Sequence, residues 1–343
     1  MKALVLEAYE TLVYKDVPTP PVGPEDVLIA VKACGICGSD IHGMDGSTGR
    51  RIPPIIMGHE AAGIIAEVGS QVVGWRPGDR VTFDSNIYCG KCYFCRQGLG
   101  NLCEKRRVLG VSCTEYRQDG AFAEYVVVPQ QCLYALPDGL TFERATLVEP
   151  LSIALHAVGR PKIRLGDSAA VVGAGMIGLM LVQVLRASGC GTIISLDLLP
   201  RRLELARHLG ADVGLQADAP DVQAEVREHT NGRGADLVFE AVGIAPTLKL
   251  AVGCARKGGT VTLVGNLAAE ANLPLQATVT RELTLYGSCQ SAGEYPACLE
   301  LLARGLIQVD PLISAIAPLH EGPTWFARLR QGDAELVKVV LKP

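Results

Sequence analysis

The fold turns on the stretch Ala169-Ala-Val-Val-Gly173-Ala-Gly175-Met-Ile-Gly178-Leu-Met-Leu-Val-Gln183. A short apolar run of strand character enters three glycines at G-x-G-x-x-G spacing and leaves as an apolar helix, expected over Met176 to Ala187. On its own the glycine spacing is weak evidence. Placed between a strand and a helix, it is the context that binding of a dinucleotide pyrophosphate requires. Gly173 permits the tight turn, Gly175 lets the backbone approach a pyrophosphate, and Gly178 lets helix and strand pack closely. The helix N-terminus, at Met176 and Ile177, then offers free N–H groups and the positive end of its dipole to the phosphates. Ala169 to Leu185 is uncharged and at the short limit for a membrane span. A strand running into a buried helix explains it better.

Working outward, the same alternation continues. Thr192 to Leu196, Leu237 to Glu240 and Thr260 to Val264 read as strands. Leu151 to Val158, Arg201 to Leu209 and Leu248 to Ala255 read as helices. Strands alternating with helices predict a parallel sheet wound on both faces. Asp197 follows Gly178 by 19 residues, where an acid is expected to take the ribose 2′-hydroxyl. A carboxylate there repels a 2′-phosphate, so NAD is favoured over NADP, with Arg201 and Arg202 close enough to counter it in part. Upstream the character differs. Val27 to Lys32, Gly63 to Val68, Arg80 to Phe83 and Gly120 to Val128 read as short strands between Gly and Pro turns, which suggests a partly open β-barrel. After about Gly287 the alternation fades, and the tail is expected to rejoin the first domain.

Composition bounds the function. The chain has 343 residues, 48% hydrophobic and 20% charged, with net charge −4. Two domains with ordinary cores are expected. There is no basic surplus to grip nucleic acid or an anionic membrane. The first ten residues carry Glu7 and Glu10 and lack the apolar core of a secretory signal, so a cytoplasmic location with reduced thiols is expected. The 12 cysteines then read as metal ligands where they cluster.

Cys89, Cys92, Cys95 and Cys103 form C-x2-C-x2-C-x7-C in a glycine-containing loop. Four thiolates at this density suit a closed, structural zinc, with an iron–sulfur cluster as the alternative. A second set is dispersed: Cys37-Gly-Ser39-Asp40-Ile-His42, then Gly58-His59-Glu60, then Glu149-Pro-Leu-Ser152. One thiolate, one imidazole and one carboxylate form the mixed three-ligand pattern of catalytic zinc, with a position open to water or substrate.

Gly58-His59-Glu60-x2-Gly63-x5-Gly69, the Cys37-Gly-Ser-Asp segment, the four-cysteine lobe, the glycine turn and the final Val337-Lys338-Val-Val-Leu341 stand in the order of the zinc-containing medium-chain alcohol dehydrogenases. Over essentially its whole length the chain resembles that family, and within it the sorbitol (L-iditol) and other polyol dehydrogenases, through Glu149-Pro-Leu-Ser. The resemblance implies a GroES-like catalytic domain over 1–152 with 289–343 and a Rossmann NAD-binding domain over 153–288. It implies two zinc ions, one catalytic and one structural, and a homodimer or homotetramer. Cys37 and His59 would ligate the catalytic zinc, with Glu60 as the third protein ligand and Glu149 as a neighbour or alternate. Ser39 would take the substrate proton and His42 pass it on, Asp40 would orient His59, and Lys338 would reach the cofactor pyrophosphate. The implied reaction passes a hydride from a polyol or other secondary alcohol to NAD. L-Threonine 3-dehydrogenase and butanediol dehydrogenase activities are the nearest alternatives. A zinc-finger nucleic-acid module and a zinc-free NADPH quinone reductase are more distant ones. Gln290-Ser291 stands where sorbitol-type enzymes carry Arg-Tyr, a departure that bears on the sugar-alcohol chain.

Overall fold

The computed structural model describes residues 1–343, which separate into two compact units. One comprises Met1–Glu149, Ser291–Gly305 and Val309–Pro343. The other comprises Pro150–Gln290 and Leu306–Gln308.

The first unit is built on a seven-stranded sheet. Its central strand, Asp26–Gly35, is longer than the alternation over Val27 to Lys32 implies, and is buried over most of its length. Three strands pair with it, all antiparallel: Glu60–Val68, Tyr125–Pro129 and Lys338–Lys342. The register sets Gly35 opposite both Glu60 and Val340. A Cβ on Gly35 would lie 2.4 Å from Glu60 Oε2 and 3.3 Å from Lys338 Cδ. Glycine is therefore what admits these two side chains between the strands. The strand expected over Gly120 to Val128 is confined to Tyr125–Pro129. The backbone before it has another partner: the N–H groups of Gly120, Ala121 and Phe122 donate to the carbonyls of Ile56, Gly58 and Met57. The segment thus clamps the residues that lead into His59.

The second unit is a six-stranded parallel sheet. In space its strands run Val213–Gln216, Ile193–Asp197, Ala169–Val172, Ala235–Glu240, Ala255–Leu263 and Thr284–Gly287. The first strand in sequence lies at the middle, the order of doubly wound dinucleotide folds. The uncharged stretch resolves into strand Ala169–Val172 and helix Met176–Ala187, which is buried from Gly178 through Leu185. No helix is long and apolar enough to cross a membrane. Helix Val148–Val158 begins earlier than Leu151 because Pro150 lies in its first turn, where proline removes no intrahelical hydrogen bond. Helices Val222–Glu228, Tyr295–Ala303 and Gly322–Arg330 escape the sequence reading.

Gly178 is held against the glycine turn: a Cβ there would fall 1.8 Å from the Gly173 carbonyl oxygen. Gly178→Ala is expected to push the helix off its strand, a packing strain of about 1–3 kcal/mol. The thermal midpoint should fall by several degrees at about 2–4 °C per kcal/mol. An unchanged midpoint in a calorimetric scan would show that this packing does not need glycine.

Candidate active site

The dispersed residues converge where the central strand ends. Cys37 follows strand Asp26–Gly35 and stands at the N-cap of helix Gly38–Gly43. His59 precedes strand Glu60–Val68 and Glu60 begins it. Ligand atoms of Cys37, His59 and Glu60 all lie within 4.8 Å of one another. Glu149, half-buried at the start of its helix, is outside that cluster but within its electrostatic reach. Burial first, then the carboxylate of Glu60 and Cys37, push Glu149 up to about 8 against the pull of His59. Burial and Glu60 likewise push the Cys37 thiol up to about 12. A soft thiol, an imidazole and one carboxylate crowded to this degree, with a second carboxylate beside them, match the donor set of a divalent transition metal, which would draw both protons off.

Two buried ion pairs frame the centre. Lys338 is 2% exposed. Its ammonium donates to Glu60 Oε2 at 2.5 Å and to the Ile36 carbonyl at 2.9 Å. Where the resemblance implies a reach toward a pyrophosphate, the buried ammonium here takes the carboxylate that the sheet register puts beside it. Burial acts to lower its pKa, and Glu60 and Cys37 together hold it above the ordinary lysine value. The second pair is Asp40 and Arg51, with Arg51 Nη2 2.9 Å from Asp40 Oδ1. Asp40 also accepts the Cys37 N–H at 3.2 Å and faces His59 Nδ1 at 3.6 Å. Asp40 thus lies behind the His59 ring, beyond hydrogen-bond distance of Nδ1, where a carboxylate behind a metal-binding imidazole would stand. Ser39 and His42 are exposed, three residues apart on one face of the short helix. Sequence reasoning missed Arg51 and the Glu60–Lys338 pair. Arg51 precedes Ile52-Pro-Pro-Ile-Ile with nothing in its spacing to mark it.

The four cysteines of the lobe also come together. Cys92 and Cys95 sulfurs are 3.5 Å apart, and the N–H groups of Cys89 and Lys105 each point at Cys103 Sγ from 3.3 Å. The N–H groups of Cys95 and Glu104 bring Cys92 down to about 6. Backbone donors around that sulfur favour its thiolate, whereas burial and the neighbouring Cys92 and Cys103 push Cys95 up to about 12; four sulfurs gathered in this way fit a closed tetrahedral metal.

In the second unit the glycine turn keeps its cradle open. Gly173 has φ +97°, and a Cβ on Gly175 would meet nothing within 4 Å. No side chain caps the helix, so the first N–H groups at Met176 and Ile177 are left to a phosphate. Asp197 ends strand Ile193–Asp197. Its Oδ2 accepts the Ala174 N–H at 2.7 Å and its Oδ1 the Leu199 N–H at 2.9 Å, with Arg202 3.9 Å away. The acid thus ties the glycine turn to the neighbouring strand, and its remaining lone pairs suit a ribose hydroxyl. Gln290 adopts φ +53° and leaves Oε1 buried without a partner.

The comparisons with known proteins agree with this geometry. Residues 23–138 match the alcohol dehydrogenase GroES-like domain, and residues 177–304 match the zinc-binding dehydrogenase family. The chain is 36% identical to the sorbitol dehydrogenase of Bacillus subtilis (strain 168), covering 100% of this chain and 97% of that one. It is similar to a zinc-binding dehydrogenase of Sinorhizobium meliloti 1021 bound to NADP, with TM-score 0.92 and 35% identity over 100% and 99% of the two chains. It is similar, too, to a short chain alcohol dehydrogenase of Escherichia coli CFT073 complexed with NADH, with TM-score 0.92 and 30% identity over 100% and 99%.

Lys338→Met should leave Glu60 buried without its cation, an effect of about 3–5 kcal/mol. Adding Glu60→Gln should restore most of that loss. Denaturant midpoints of the metal-free proteins measure both, and a single variant as stable as the parent would show that the pair contributes nothing.

Proposed function

We propose, for a chain that belongs to the zinc-binding alcohol dehydrogenase family and is a polyol oxidoreductase, that it oxidises a secondary hydroxyl of a polyol to a ketone with NAD as acceptor. The observation that carries this reading is the convergence of Cys37, His59 and Glu60 within 4.8 Å. When bound, zinc supplies Lewis-acid polarisation of the substrate hydroxyl and the nicotinamide supplies the hydride acceptor.

Cys37, His59 and Glu60 would hold the catalytic ion, with Glu149 entering as an alternate ligand. Lys338 already offsets the charge of Glu60, so a thiolate and Glu149 could still balance the two positive charges. Cys89, Cys92, Cys95 and Cys103 would hold the second ion, which serves the fold. Ser39 Oγ takes the proton from the substrate hydroxyl and hands it towards His42, both at the exposed face of helix Gly38–Gly43. Asp40 keeps the His59 ring turned. Gly173, Gly175 and Gly178 with the N–H groups of Met176 and Ile177 seat the pyrophosphate. Asp197 takes the ribose hydroxyls and repels a 2′-phosphate, which selects NAD. A homo-oligomer in the cytoplasm is the assembly and location that fit this reading.

The test of substrate and cofactor is a panel of polyols and simple secondary alcohols with NAD and with NADP, read by absorbance of the reduced nicotinamide. Polyols with NAD should give the highest kcat/KM. Asp197→Ser should raise kcat/KM with NADP and lower it with NAD. A parent enzyme that already prefers NADP would overturn the assignment of Asp197.

The two metals separate by variant. Cys92→Ser should lose one zinc per chain and several degrees of thermal midpoint, because a closed site contributes to folding. Cys37→Ala should lose the other zinc and all turnover while keeping its midpoint. Elemental analysis with melting curves decides, and equal destabilisation by both substitutions would defeat the division of roles.

A further inference from the structure

Arg51 is 3% exposed and has so far only been named as the partner of Asp40. Its Nη2 nitrogen carries two N–H bonds. It stands 2.9 Å from Asp40 Oδ1 and 3.4 Å from Ser39 Oγ. Nη1 donates to the Arg50 carbonyl at 3.0 Å. The stem is packed against Gly43, where a Cβ would fall 2.4 Å from Arg51 Cγ. The guanidinium plane is therefore held, with one nitrogen serving both the exposed hydroxyl and the buried carboxylate beside it.

We propose that Arg51 is a positioning residue that aims the Ser39 hydroxyl and insulates it from Asp40. The inference rests on the reading of Ser39 as acceptor of the substrate proton. A serine hydroxyl has one O–H and two acceptor lone pairs. A guanidinium only donates and is not deprotonated in proteins. An Arg51 N–H on one lone pair leaves the other for the substrate, and turns the Ser39 O–H away from Arg51. Asp40 is the base nearest to Ser39 in sequence, and a carboxylate with no solvent exposure. With its Oδ1 engaged by the same nitrogen, it is screened from the Ser39 proton. Apart from the Cys37 sulfur, which also meets the Ser39 hydroxyl, the route left to the proton is outward, along the face that carries His42. Neither a neutral side chain nor a single flexible ammonium reproduces a planar donor pair that addresses two oxygens at once.

The experiment compares Ser39→Ala, Arg51→Lys and Arg51→Met with the doubles Ser39→Ala/Arg51→Lys and Ser39→Ala/Arg51→Met. Each is measured for kcat, solvent deuterium isotope effect, zinc per chain and thermal midpoint. Ser39→Ala should lower kcat by about 10²-fold, the usual scale of a lost proton-transfer group. Arg51→Lys retains a charge against Asp40. It should keep its zinc and midpoint, yet lose about tenfold in kcat with a larger solvent isotope effect, the scale of a misplaced reacting group. In the Ser39→Ala background the same substitution should cost no more than about twofold, because residues acting as one unit are non-additive. The inference fails if the tenfold loss returns undiminished in that background. It fails differently if Ser39→Ala turns over like the parent, since then the proton reading of Ser39 is what falls. Should Arg51→Met not fold, the lysine variant and its double still decide.

Discussion

The buried ion pair between Glu60 and Lys338 is the constraint from which much of the catalytic unit follows. It joins the first residue of strand Glu60–Val68 to the first residue of the last strand, Lys338–Lys342, across the end of the central strand. Neither charge has solvent, so each must have the other. Satisfying the pair requires glycine at position 35 and gives the chain end a reason to return to this sheet. It also pins the backbone at Ile36, one residue before the cysteine of the metal cluster.

Charge is sorted around that point. Two buried carboxylates beside it each have their own cation: Glu60 has Lys338, and Asp40 has Arg51. Burial drives two other groups of this centre, Cys37 and Glu149, toward the protonated form. A divalent cation held there would draw those protons off. The internal pairs can therefore keep the shape of the unit whether or not an ion sits among Cys37, His59 and Glu60. The cysteine lobe follows a different rule. There the loop's own N–H groups face the sulfurs of Cys92 and Cys103, where the other centre uses paired charge.

In the cofactor unit one carboxylate has two duties. Asp197 anchors the backbone at Ala174 inside the glycine turn while standing at the end of its strand. The acid that would discriminate the ribose thus also holds the loop that would cradle the phosphates. The strand and the turn are thereby held in register through a single side chain.

The sequence by itself determined whatever depends on near neighbours. The glycine turn and the four-cysteine lobe were legible because spacing along the chain sets their geometry almost directly, whereas the segment Cys37 to His42 was legible for its residues and not for its helix. The βαβ alternation and the membership of the metal cluster were legible too, the latter with the support of a family resemblance. Element ends were not, as at Gly120 to Phe122, where backbone bonding to Met57 and Gly58 displaced a strand. Only the tertiary structure decided which cation meets which buried acid. Lys338 and Glu60 are 278 residues apart, and Arg51 lies in a segment without periodicity. It also decided that Glu60 enters the ligand cluster while Glu149 stays outside it. The physical reason is the same in each case. Desolvation makes a buried charge take whatever partner the sheet register brings within reach, and register is a property of the folded chain rather than of any local stretch of it.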